Sequence, residues 1–157
     1  MIILEKEMTE IEQLKSNLNA EFEMKDMREL RYFFSIKIIR DHEVRQLIID
    51  QSIYIRMILE RFDMKDCNFV STSVTGIKLQ QTSIEDVLVD QQNYQSMIES
   101  IMYVMLCIRP NLAYAISQLS QFNAKPTSIH EAAAKRVLRY LKATADLGIT
   151  FGKDLIY

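Results

Sequence analysis

The sequence predicts an α+β fold in which helices dominate, and three observations carry that prediction. From Leu30 to Ile38 the apolar residues recur every second position, the repeat of a strand with one buried face. On either side the repeat changes to three and four residues, the spacing of an amphipathic helix, and in the last third it hardly lapses. Hydrophobic residues make up 48% of the 157 and charged ones 25%, a balance that suits a packed globular core.

The elements follow in order. Met8, Ile11, Leu14 and Leu18 predict an N-terminal helix over 5–21 with one face to bury. Leu30, Tyr32, Phe34, Ile36 and Ile38 form the first strand, Asp41-His42-Glu43 breaks it, and Val44 to Ile49 returns antiparallel as a β-hairpin. Asp50 is a candidate N-cap for a helix of about three turns carrying Ile53, Tyr54, Met57, Ile58 and Phe62. The segment 71–90, rich in Ser, Thr, Gln and acids, reads as a long polar connection.

Helices then dominate. Tyr94, Ile98, Ile101, Met105 and Ile108 share a stripe, and Pro110 suits the first turn of a second helix with Leu112, Ile116, Leu119 and Phe122 inward. Pro126 ends that helix. Thr127 or Ser128 caps a third helix, with Glu131 placed to close a capping box on Ser128, and it runs to about Ala143. After the Asp146-Leu147-Gly148 turn, Ile149 to Phe151 makes a short terminal strand with no partner behind it. The expected architecture is a helix, an antiparallel hairpin, a cluster of about four helices and that last strand.

Composition narrows the function. A formal charge of −2 gives no general attraction for phosphates, so any nucleic-acid surface must be local. Two cysteines, Cys67 and Cys107, and two histidines supply neither a disulfide framework nor a zinc site. The first residues reach charge at Glu5, unlike a secretory signal, and the apolar run Ile101 to Ile108 is far short of a membrane span, so an intracellular, reducing location without membrane contact is expected.

Several strings carry a resemblance. FEMKDM (Phe22 to Met27), ELRYFFSIKIIRD (Glu29 to Asp41), ILERFDMKD (Ile58 to Asp66), VSTSV (Val70 to Val74), IRPNLAYAIS (Ile108 to Ser117) and RVLRYLKATADLGITFG (Arg136 to Gly152) are collinear over nearly the whole chain. In that order and spacing they resemble the reverse transcriptase of copia-type retrotransposon Pol polyproteins. Members typically read MKDLGELKYFLGI, VSTPL, GSLMYAM and TRPDIAYA at these places. Here Arg28 stands where the first glycine falls, Phe34-Ser35 where Leu-Gly falls, Ser73 for the proline, Glu99 for the glycine of GSLMY and Asn111 for the aspartate. A side chain is penalised wherever the backbone needs positive φ.

The resemblance implies an incomplete polymerase palm and thumb. Residues 1–50 would be the end of the palm, 51–145 the thumb and connection helices with the polar loop at 71–90, and 146–157 the start of an RNase H-like strand. The intact family enzyme would use Mg2+, while this chain is expected to hold no cofactor. In the family an aromatic-Val-Asp-Asp string lies just ahead of the position of Met1; no such string occurs here, and two-metal polymerisation needs converging carboxylates. The expectation is therefore a truncated RNA-directed DNA polymerase fragment, inactive alone and not itself an enzyme. The alternatives are a nucleic-acid-binding module that keeps a grip on template and primer, or a partner-binding protein.

Candidate contacts to RNA–DNA hybrid or DNA, binding weakly, are Lys135, Arg139 and Lys142 at i, i+4 and i+7, with Arg109 and Tyr32. Each has a plainer reading. The three cations suit the exposed face of an amphipathic helix, Arg109 suits a cap on the last carbonyls of the helix before it, and Tyr32 with Phe33 suits sheet packing. His42 and His130 read as surface residues, the adjacent acids Glu85-Asp86 as a solvated loop, and the nine methionines as core fillers. Apolar surface left uncovered predicts self-association.

Overall fold

The computed structural model describes residues 8–73, 79 and 87–152. The element order is α1 (Met8–Glu21), β1 (Tyr32–Phe33), β2 (Ile36–Asp41), β3 (Gln46–Asp50), α2 (Ser52–Arg61), α3 (Gln91–Ile108), a 3-10 turn (Pro110–Leu112), α4 (Ala113–Ser120), α5 (Ser128–Ala143) and β4 (Ile149–Gly152). This is the predicted helix-dominated α+β class. No helix among the described residues is long and apolar enough to cross a membrane.

The core belongs to the helices. Ile55 of α2, Ile98 and Ile101 of α3, Leu112 of the 3-10 turn and Leu138 and Leu141 of α5 are each sealed from solvent and lie in one cluster. Helix α2 turns a different face inward from the one predicted: Ile55, Ile58, Leu59 and Phe62 are buried, while Ile53 and Met57 are exposed. Both sets fit helical spacing and share Ile58 and Phe62, so periodicity cannot choose between them; packing against α5 does. Asp50 precedes α2 as expected, but Gln51 is the N-cap, and the Asp50 carboxylate accepts from the Ser52 N–H at 2.7 Å and the Ser52 hydroxyl at 2.9 Å.

Capping positions the other helices. Asp90 opens α3 by accepting from the Asn93 N–H at 3.0 Å. Thr127 caps α5, but its reciprocal partner is His130 rather than Glu131, since the Thr127 N–H donates to His130 Nδ1 at 3.0 Å. His130 is thus no surface residue; it is buried and stacks on Phe122 with ring centroids 3.8 Å apart. The polar connection at 71–90 lies largely outside the described residues, Glu85-Asp86 included. Its far end is fixed, with Leu88 bridging Thr127 and the Val89 N–H donating to the Pro126 carbonyl.

The strands form one antiparallel sheet in the order β1-β2-β3-β4. The predicted hairpin pairs as read, with Ile38 opposite Ile49, but the strand from Leu30 is interrupted. Phe34 and Ser35, at φ of 45° and 61°, make a two-residue turn between β1 and β2, the left-handed conformation that matches the twist of paired strands. The terminal strand finds its partner ahead of it in sequence: β4 pairs with β3 across about a hundred residues, Ile149 opposite Ile49. Gly148 permits this approach, because a Cβ there would meet the Ile49 carbonyl oxygen at 2.7 Å.

Two expectations of burial are corrected. Helix α1 forms but buries no residue, and Leu14 remains 42% exposed, because no other element packs over its apolar stripe among the described residues. Of the methionines, Met97 and Met64 do fill the core, but Met8, Met24, Met27 and Met57 face solvent.

Candidate nucleic-acid interface

The basic stripe predicted on α5 is real, and each of its cations has an acceptor within the chain. Lys142 Nζ donates to the Cys67 carbonyl at 2.7 Å, and Arg139 Nε to the Asn68 carbonyl at 2.5 Å. Arg136, one position off the predicted stripe, donates to the Thr72 hydroxyl at 2.8 Å. Lys135 Nζ pairs with Glu131 at 2.9 Å, one helical turn away. Lys142, Arg139 and Arg136 therefore fasten the chain that leaves α2 onto α5 through neutral oxygens, while Lys135 pairs within α5 with the Glu131 carboxylate.

Arg109 is buried, and its guanidinium donates to the Thr144 carbonyl at 2.5 Å and to the Leu147 carbonyl. It caps the far end of α5 and the turn into β4, not the preceding helix α3 as predicted. The sequence separation hid this, since Thr144 lies 35 residues beyond Arg109. Burial lowers the pKa of Arg109 from its ordinary value, with Tyr140 and Asp50 opposing the shift.

Tyr32 differs from the other candidates in being open to solvent, 58% exposed. It does not pack into the sheet as the plainer reading held. Phe33 and Phe34 beside it are 40% and 72% exposed, their rings edge-to-face with centroids 4.3 Å apart. Tyr32 stands opposite Lys37 across the ladder, and Arg31 and Arg40 are exposed on the same hairpin. The sequence reading passed over Phe34 because its even-numbered place in the strand pattern marked it as buried; only the turn at 34–35 reverses it.

The structure anchors this hairpin to the helices. The Tyr103 hydroxyl of α3 donates to the Phe34 carbonyl at the tip. Tyr103 in turn meets Tyr54 of α2 edge-to-face, centroids 4.9 Å apart. Burial raises the pKa of both phenols. Among the described residues no three His, Cys, Asp or Glu side chains gather as metal ligands. Those residues do not fit the Mg2+ pair that the resemblance implies.

Comparison with known proteins agrees with the strings quoted above. Residues 1–78 match the family "Reverse transcriptase (RNA-dependent DNA polymerase)". The chain is 35% identical, over 97% of its length, to the retrovirus-related Pol polyprotein from transposon TNT 1-94 of Nicotiana tabacum, of which it spans 12%. It is 34% and 36% identical, over 87% of its length, to those from transposons RE1 and RE2 of Arabidopsis thaliana, spanning 9% of each. No solved structure matches it significantly. The expectation that the chain stands apart from enzymes is overturned by the family itself, which is that of a polymerase.

Proposed function

Because the chain belongs to the reverse transcriptases of copia-type Pol polyproteins, we propose that its described residues serve such a polymerase by holding nucleic acid at the β1–β2 hairpin. The observation that carries this is the exposure of Tyr32, Phe33 and Phe34 beside Arg31 and Lys37. Apolar rings left in water are unfavourable unless something stacks on them, and cations interleaved with aromatics suit a charged strand of flat bases. Arg139, Lys142 and Arg109 act instead as internal fasteners, each donating to a backbone carbonyl oxygen.

The test is fluorescence polarisation of a labelled RNA–DNA hybrid at low salt. Binding at micromolar protein is expected, weakened about tenfold by Tyr32→Ala, roughly one stacking contact, and hardly changed by Lys135→Ala. Loss of binding in Lys135→Ala with Tyr32→Ala unaffected would place the grip on α5. No binding by any variant sinks the reading.

A second reading rests on a different observation. Phe22, Met24, Met27 and Leu30 are all exposed in the stretch between α1 and β1. So much apolar surface in one segment fits contact with another polypeptide, a further part of the polymerase or a second copy. Sedimentation velocity tests it, because a monomer at all concentrations rules out the second copy.

A further inference from the structure

We propose that Thr72 is a site of phosphorylation whose phosphate is received by Arg136 of α5, an inference independent of the nucleic-acid function proposed above. In the unmodified chain Arg136 Nη2 donates to the Thr72 hydroxyl at 2.8 Å. The neighbouring Nε is buried and has no acceptor among the described residues. Nε and Nη2 lie on one edge of the guanidinium plane, the fork that grips a phosphate through two parallel N–H···O bonds. One prong of the fork thus rests on the oxygen that phosphorylation modifies, and the other is unused.

Charge points the same way. Arg136, Arg139 and Lys142 follow at i, i+3 and i+6 on α5, and each meets a neutral oxygen: the Thr72 hydroxyl, the Asn68 carbonyl and the Cys67 carbonyl. None of the three has a carboxylate partner among the described residues, whereas Lys135 is paired with Glu131. Three cations without ion pairs make a local anion-attracting row in a chain of formal charge −2. The same row holds the backbone at Cys67 and Asn68, so a phosphate on Thr72 arrives beside its donors and loses little freedom on binding.

Thr72 is exposed and lies outside any helix or strand, between Ser71 and Ser73, where a protein kinase can reach it. The step is transfer from a nucleoside triphosphate. A bond forms from the Thr72 Oγ to the γ-phosphorus, the bond from that phosphorus to the bridging oxygen breaks, the nucleoside diphosphate leaves, and the hydroxyl proton passes to the kinase's base. A dianion then replaces a neutral hydroxyl, and the tie to Arg136 becomes charge-assisted and two-pronged. The consequence is a lock of the polar connection on α5. Its far end already meets the start of that helix, where Leu88 bridges Thr127, while at Thr72 the tie is a neutral hydrogen bond.

The test compares the full chain with the same chain made with phosphothreonine at position 72. By phosphorus NMR the phosphate should titrate below the midpoint of about 6 usual for a phosphate monoester, because the guanidinium favours its dianion. The backbone amides of Ser71 to Ser73 should exchange about tenfold more slowly than in the unmodified chain. Arg136→Gln should abolish both changes, and Arg136→Lys, which keeps the charge without the fork, should retain only part of the titration shift. An unshifted titration, or a shift that Arg136→Gln leaves in place, overturns the capture. Use of the site is read by phosphopeptide mass spectrometry of the chain expressed in eukaryotic cells with phosphatases inhibited. Phosphate on Thr72 is expected there, and its absence, or phosphate on Ser71 or Ser73 alone, overturns the assignment.

Discussion

The helices α2 to α5 and the sheet β1 to β4 solve the problem of stability differently. The helices seal whole side chains from water, whereas no residue of the sheet is buried. The sheet holds by ladder hydrogen bonds and by a few ties to the helices: the chain passing from β3 into α2, the Tyr103 bond to Phe34, and the ion pair of Arg56 with Asp146. Even the junction is imperfect, since the Gln51 side chain is buried with neither amide atom partnered among the described residues. A region that buries little opens locally at lower free energy. It is also the region that presents aromatic rings to solvent.

The largest effect should come from the core. Leu138→Ala, at a position with no exposure, should lower unfolding free energy by about 2–5 kcal/mol, whereas Ile48→Ala in half-buried β3 should cost about 1 kcal/mol. Urea denaturation of both variants checks the contrast. Equal losses would break it.

Gly148→Ala tests the sheet at its most crowded point. The added methyl would meet the Ile49 carbonyl at 2.7 Å, so β4 should peel from β3 at about 1–3 kcal/mol. Hydrogen exchange should speed up in β3 and β4 and stay slow in α3. Uniform acceleration would mean that sheet and helices unfold together.

Ser35→Gly should act in the opposite direction. At φ 61° a side chain is strained, and glycine there should raise stability by about 1 kcal/mol, measured as a shift of the urea midpoint. Arg28, at φ 64°, invites the same change. Both are places where the sequence departs from the glycines of the family it resembles, and the backbone keeps the conformation that glycine prefers.

The smallest effect concerns acid. The Arg28 N–H and Lys15 hold Asp26 below the usual carboxylate range, and the His42 ring does the same for Glu29. Groups with lowered folded values lend stability that is complete above the ordinary range and lost as pH falls through the lowered values. Both carboxylates are exposed, so screening keeps the contribution small. Amide shifts from Leu30 to Ile38 should move below about pH 4 while those of α3 do not, and Glu29→Gln should reduce that movement.

The sequence by itself determined the helix-dominated class, the hairpin, the end of α5 and the family, because apolar period, capping residues and collinear strings are local signals. It also marked Arg28 and Ser35 as places where a glycine belonged. Tertiary structure alone decided which stripe of α2 faces inward, that His130 is buried in a cap, that β4 joins β3, and that Arg109 holds the end of α5. It also turned Tyr32, Phe33 and Phe34 outward while engaging Arg139 and Lys142 internally. The physical reason is common to all of these. Whether a ring or a cation faces water depends on what another part of the chain places over it, and local periodicity carries no record of that neighbour.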